Sequence, residues 1–103
     1  MEVKFTSSGR AHFLDAIMSI RRENATAARR FRRSAEKALK RLERFPESGA
    51  VVAEFPDLPY REVYVKPYRF FYRQKDQTIW VVAVWHGARI PEDPVGGGRP
   101  RDD

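Results

Sequence analysis

Five residues in the second half of the chain are of the types that phosphate chemistry uses: Arg61, Arg69, Arg73, His86 and Arg89. An arginine guanidinium is planar, stays charged and offers two parallel N–H groups to two phosphate oxygens. A histidine can give or take a proton near neutral pH. On type alone, Arg69 fits the cationic role, His86 that of acid or base, and Arg61, Arg73 and Arg89 add positive charge. Each also has an ordinary structural role open to it. His86, closing an apolar run, can bond a backbone carbonyl, and Arg69 can pair with Glu54, Asp57 or Glu62 as a fold-organising ion pair. Trp80 and Phe71 are interface candidates if the helices leave their face uncovered. His12 reads as a partly exposed helix residue with no special task.

The elements that must position these groups can be read from spacing. Glu2 to Thr6 is a short opening strand, and Thr6-Ser7-Ser8 offers hydroxyl caps for a helix. Ala11, Leu14, Ile17, Met18 and Arg21 recur at helical spacing, which predicts an inward stripe on that helix. It ends near Glu23-Asn24, where Asn24 can cap a second helix directly. Ala28, Phe31, Ala35, Ala38, Leu39, Leu42 and Phe45 give the second helix its stripe, and Pro46 stops it. So short a connection makes the pair an antiparallel hairpin. Glu47 to Tyr60 is polar and broken by Pro56 and Pro59, hence loop, with a short strand at Ala50–Ala53. Three strands follow: Arg61–Val65, Tyr68–Arg73 beyond a Lys66-Pro67 turn, and Thr78–His86 beyond a Gln74–Gln77 loop. Alternation puts Arg69, Phe71 and Arg73 on the face opposite Tyr68, Phe70 and Tyr72. The last strand is apolar on both faces and belongs inside the sheet. The expected fold is α+β: an N-terminal strand and helical hairpin on a twisted, mostly antiparallel sheet, in the order β-α-α-β-β-β. Residues 1–90 form the domain, and 91–103, rich in glycine and proline, a flexible tail.

Composition narrows the function classes. At 103 residues there is room for one core, and 42% apolar with 33% charged residues is a globular balance. The absence of cysteine rules out disulfides and thiolate metal sites, and two histidines are too few for a histidine-based zinc site. No metal or cofactor is expected. Charge interrupts the N-terminus where a signal peptide needs an apolar run, and the longest apolar run, Ile79–Trp85, is far too short to cross a bilayer. The expectation is a cytoplasmic protein without membrane association. The net charge of +6 is concentrated: residues 21–44 hold ten Lys/Arg against three Glu, which is +7 and leaves −1 for the rest. Such a face is either solvated or attracts an acidic partner or nucleic acid.

Several local patterns in one order resemble the RelE/ParE toxin superfamily. The hairpin closes with Leu42-Glu43-Arg44-Phe45-Pro46-Glu47-Ser48-Gly49, Arg61 opens a strand, the next strand reads Pro67-Tyr68-Arg69-Phe70-Phe71-Tyr72-Arg73, and the last ends Val84-Trp85-His86-Gly87-Ala88-Arg89. The similarity spans roughly residues 2 to 90. It implies the toxin of a type II toxin–antitoxin pair, inhibiting growth in a stress response until a cognate antitoxin binds it in a hetero-oligomer. Arg29, Arg30, Arg33 and Phe71 would then meet the antitoxin, with Arg73, Arg89 and Trp80 on the functional surface. One branch, ParE-like, poisons DNA gyrase. The other, RelE-like, cleaves mRNA on the ribosome, for which Arg69, His86 and Arg61 would be the catalytic groups. RNA cleavage needs a base for the 2′-hydroxyl, cations for the phosphorane and an acid for the leaving oxygen. Here His86 is followed by Gly87-Ala88 rather than a further acid–base group, and the RelE lysines are reduced to Lys66. The ParE-like branch is therefore favoured, with a basic nucleic-acid-binding module as the reading outside the toxins. The proposition to test is that Arg61, Arg69 and His86 meet at the open side of the sheet.

Overall fold

The computed structural model describes residues 1–87, so Arg89 and the expected tail 91–103 lie outside the described residues. The elements are β1 (Glu2–Phe5), α1 (Ser7–Glu23), α2 (Ala25–Arg44), β2 (Ala50–Val51), β3 (Arg61–Val65), β4 (Tyr68–Lys75) and β5 (Thr78–His86). The strands form one sheet in the order β1-β5-β4-β3-β2, with β1 parallel to β5 and the other three pairs antiparallel. The expected α+β order holds, and β5 lies inside the sheet. A parallel neighbour of β5 requires a crossover, and the helical hairpin is that crossover.

Local chemistry sets the helix ends. The Thr6 hydroxyl accepts from the Gly9 N–H at 3.0 Å, and the Asn24 side chain accepts from the Ala27 N–H at 2.9 Å. Asn24 also closes α1, its N–H donating to the Ile20 carbonyl, so a single residue turns the chain through the hairpin. α2 buries Ala28, Phe31, Ala35, Leu39 and Leu42, the stripe its spacing predicts. Phe45 departs from it: the ring is exposed, between the Arg41 and Arg44 guanidinium groups.

α1 turns a different stripe inward from the one expected. Gly9 and Ala16 are buried, Phe13, Ile17 and Ile20 pack on the core, and Leu14 and Met18 are half exposed. Small residues decide this. α1 lies against the edge of β5 beyond the reach of β1, and a Cβ at Gly9 would stand 2.1 Å from the Val81 carbonyl oxygen. Only glycine permits that approach. The stripe through Gly9 and Ala16 can close on the strand; the one through Leu14 and Met18 cannot.

The core has two halves. Between helices and sheet, Phe13, Phe31, Phe70 and Tyr68 form a ring cluster over Ile79, Val81, Val84, Leu39 and Leu42. On the opposite face Phe71, Ala83 and Trp85 are covered by the segment after β2, through Val52, Phe55, Leu58 and Tyr60. The segment expected to be polar loop thus roofs a second apolar layer. A register shift in the β4–β5 pairing, after Phe71, lets Val82 and Ala83 both face that layer, so β5 changes phase before Val84. The β4–β5 hairpin is also tighter than expected, turning on Asp76 and Gln77 alone with φ of 51° and 66°.

Candidate functional site

The sheet register separates the three groups on which RNA cleavage would rest. Arg61 pairs with Tyr72 in the middle of β4 and His86 with Tyr68 at its start, so the two lie on either side of β4 and are offset by roughly 13 Å along it at about 3.3 Å per residue. Both belong to the helix-side face. Arg69, one residue from Tyr68, points out of the other face. Arg61, Arg69 and His86 therefore share no centre, and the expectation that they meet at an open side of the sheet is overturned. Alternation and the hairpin register make this outcome unavoidable.

Arg69 is fully engaged. Its Nε and Nη2 donate to the two Glu62 carboxylate oxygens at 2.6 and 2.8 Å, and Nη2 and Nη1 donate to Glu54 at 2.9 and 3.3 Å. The guanidinium stacks over Phe71 at 5.1 Å. Of the two roles open to it in the sequence, the structure builds the ion pair, with both carboxylates rather than one. The Arg69 side chain is only 13% exposed. Bonds to Glu62, then Glu54, hold the guanidinium proton even more firmly than usual, and the same fork keeps the Glu54 carboxyl below its ordinary range. One cation between two anions is a net negative cluster, which repels a phosphate instead of binding it.

Arg61 is also committed, donating from Nη1 to the Gly49 carbonyl at 2.9 Å. It joins a clamp on the turn after α2. The Tyr72 hydroxyl, deep beneath, donates to the Pro46 carbonyl at 2.8 Å and accepts from the Gly49 N–H at 3.0 Å. Burial of that hydroxyl raises its pKa above the ordinary tyrosine value.

His86 is exposed and packs edge-on against Tyr68 at 5.3 Å, where the hairpin meets the ends of β4 and β5. Two adjoining cavities of about 570 and 510 Å³ reach it; Lys66 and Arg30 line the first, His12, Asp15 and Arg22 the second. Of the interface candidates, Phe71 is fully buried beneath the 52–60 segment and cannot meet a partner, which corrects its place on an antitoxin-facing surface. Its apolar cover comes from that segment instead of from the helices. Trp80 is half-buried with the Lys4 ammonium 5.9 Å over its ring, and the Arg73 guanidinium lies 5.8 Å over Tyr60. Arg29, Arg30 and Arg33 stand exposed on α2, as spacing places them.

His12 has a task that its sequence context does not signal. Its Nδ1 accepts the Val84 N–H at 3.2 Å, capping the β5 edge that β1 leaves uncovered. Among the described residues no three His, Asp or Glu side chains gather as a metal would need, and no helix is long and apolar enough to cross a membrane.

A helical hairpin serving as the crossover between a parallel edge strand and an antiparallel meander, with a basic outer helix, defines the class. A family model described as "ParE toxin of type II toxin-antitoxin system, parDE" matches residues 3–91, and the chain belongs to this family. Among solved structures it is similar to one described as "Chromosomal ParDE TA system from P. aeruginosa", with a TM-score of 0.68 at 17% identity, covering 84% of this chain and 95% of that one. At that identity the likeness speaks for the fold. No curated protein matches.

Proposed function

We propose that the chain inhibits bacterial growth by poisoning DNA gyrase and is held inactive in a hetero-oligomer by a cognate antitoxin. The observation that carries the choice of gyrase over mRNA is the net negative cluster of Arg69 with Glu54 and Glu62. An RNA-cleaving centre on this strand would need that guanidinium free for a phosphorane, with His86 close by to move protons. Arg69 is sequestered on one face while His86 stands on the other. Gyrase poisoning needs no such centre, only a binding surface.

The antitoxin is expected to cover the basic face of α2, where Arg29, Arg30 and Arg33 are exposed. Complementary charge favours an acidic segment there and speeds encounter. The site of action in this reading is the bacterial cytoplasm. Inducing the chain alone in bacteria and scoring colony formation tests the toxin reading. Loss of colonies, restored by co-expression of the neighbouring antitoxin frame, is expected. Unimpaired growth at good expression would reject it, and duplex DNA binding with a steep salt dependence would then favour a nucleic-acid-binding module.

A further inference from the structure

The cations of α2 fall in one row. At 3.6 residues per turn, Arg30, Arg33, Lys37, Lys40, Arg41 and Arg44 lie within about 100° of the helix surface, opposite the buried stripe of Ala28, Ala35, Leu39 and Leu42. Glu36 and Glu43 stand to one side of that arc, and no acidic residue interrupts it. At about 1.5 Å per residue the row runs roughly 21 Å from Arg30 to Arg44, and it ends at the Phe45 ring.

Phe45 is 53% exposed, yet its backbone is fixed. Its N–H donates to the Arg41 carbonyl at 2.9 Å, its C=O accepts the Ser48 N–H at 3.0 Å, and the next carbonyl, of Pro46, takes the Tyr72 hydroxyl. The Arg41 and Arg44 guanidinium groups stand 6.0 Å from the ring centre, at the far limit of cation–π reach, so neither covers the ring closely. Around the ring opens a cavity of about 550 Å³, lined also by Met1, Lys37, Lys40 and Glu43. The side chains of Lys37, Lys40, Arg41 and Arg44 form no hydrogen bond or ion pair with any described residue. Four cations against Glu43 leave +3 around the cavity. The negative end of the helix dipole, about half a charge, does not reverse that sign.

We infer that this end of α2 binds a single-stranded nucleic acid, with a base stacked on Phe45 and the flanking phosphates held by Lys40, Arg41 and Arg44. Binding a strand without reading its sequence takes two parts, an aromatic platform and cations that follow the backbone. Both are here, and a guanidinium can pair a phosphate bidentately or lie flat on a base. A platform on a fixed backbone loses little freedom when a base settles on it. A duplex would use the cations and leave Phe45 idle, because its bases are already stacked. An acidic peptide would be held by charge alone, since the N–H groups of the last helical turns are bonded within the helix. The site lies at the far end of the row from Arg30 and Arg33. Growth inhibition is scored separately, so a toxic chain that ignores single strands rejects this site and leaves the toxin reading standing.

The test follows the anisotropy of a fluorescein-labelled ten-nucleotide thymidine oligomer as the full chain is added. Four comparisons accompany it: a uridine oligomer, an abasic strand with the same phosphates, a hairpin duplex, and a peptide of alternating glutamate and phenylalanine. Saturable binding is expected, with a log–log salt slope of about −2 to −3, as three or four phosphate contacts on a single strand require. F45A should weaken the thymidine oligomer about tenfold and leave the abasic strand unchanged, and F45W should restore the loss. K40E with R44E, in a chain of unchanged circular dichroism, should weaken both strands by about tenfold or more. Whichever of the thymidine and uridine oligomers binds more tightly identifies the strand as DNA or RNA. Failure of both to bind, equal binding of the abasic strand, undiminished binding by F45A, or tighter binding of the duplex or the peptide would each overturn the proposal.

Discussion

Replacing Tyr72 with phenylalanine removes one oxygen and leaves the ring in place. That oxygen joins the Pro46 carbonyl and the Gly49 N–H, and Tyr72 is only 1% exposed. A net hydrogen bond contributes about 0.5–1.5 kcal/mol, and a buried group left without its partner costs about 1–3 kcal/mol. The Gly49 bond is the buried one, whereas the part-buried Pro46 carbonyl can turn to water. The expected loss is about 2–3 kcal/mol. In a domain of this size each kcal/mol moves Tm by roughly 4–8 °C, so Tyr72→Phe should melt about 8–24 °C lower. Urea unfolding followed by circular dichroism checks it: the midpoint falls and the slope stays constant. Alkali gives a second signature. The Tyr72 pKa is raised in the folded state, so its contribution is complete below about pH 10 and is lost as pH climbs through the raised value. The gap between parent and variant therefore narrows in alkali. A loss under about 0.5 kcal/mol, or a gap that widens with alkali, would refute the clamp on the 46–49 turn.

Arg69→Ala is expected to lower stability and to leave the proposed growth inhibition unchanged. It removes both pairs and leaves the mostly buried Glu62 uncompensated, which costs about 1–2 kcal/mol, between exposed and buried pairs in size. Glu54 has a lowered pKa, so its share is present above the ordinary carboxylate range and vanishes as pH falls through the lowered value. Unfolding series from neutral pH to pH 3 should show the deficit shrinking, with growth inhibition retained at matched levels. Gln77→Gly should stabilise by about 0.5–1 kcal/mol, because glycine adopts the positive φ of this two-residue turn without a Cβ clash. A lower Tm in that variant would contradict it.

What the sequence reveals follows from the range of the forces involved. Asn24, the Thr6 cap and the α2 stripe act over a few residues, and each is legible. So is the alternation that separates Arg69, Phe71 and Arg73 from Tyr68, Phe70 and Tyr72. The inward face of α1 is not, since Leu14 and Met18 fit a helical period as well as Ala16 and Ile20. Only the approach of Gly9 to Val81 decides between them, and that contact spans most of the chain. The second core escapes notice because Val52, Phe55 and Leu58 follow no period, so proline dominates the segment's appearance. For the candidate site, residue types are visible and geometry is not. Pairing Arg61 with Tyr72 and Tyr68 with His86 requires the strand register, as does the phase change of β5 at Val82 and Ala83. Glu54 and Glu62 are among Arg69's foreseeable partners, but their joint grip depends on where the loop after β2 folds back.

Supercoiling and cleavage-complex assays with purified gyrase, run beside ribosome-programmed mRNA cleavage on the same preparation, test most directly the proposal that the chain poisons gyrase and does not cut RNA. Trapped gyrase–DNA breaks with intact mRNA are predicted. Codon-periodic cuts in the message that disappear in Arg69→Ala or His86→Ala would contradict it.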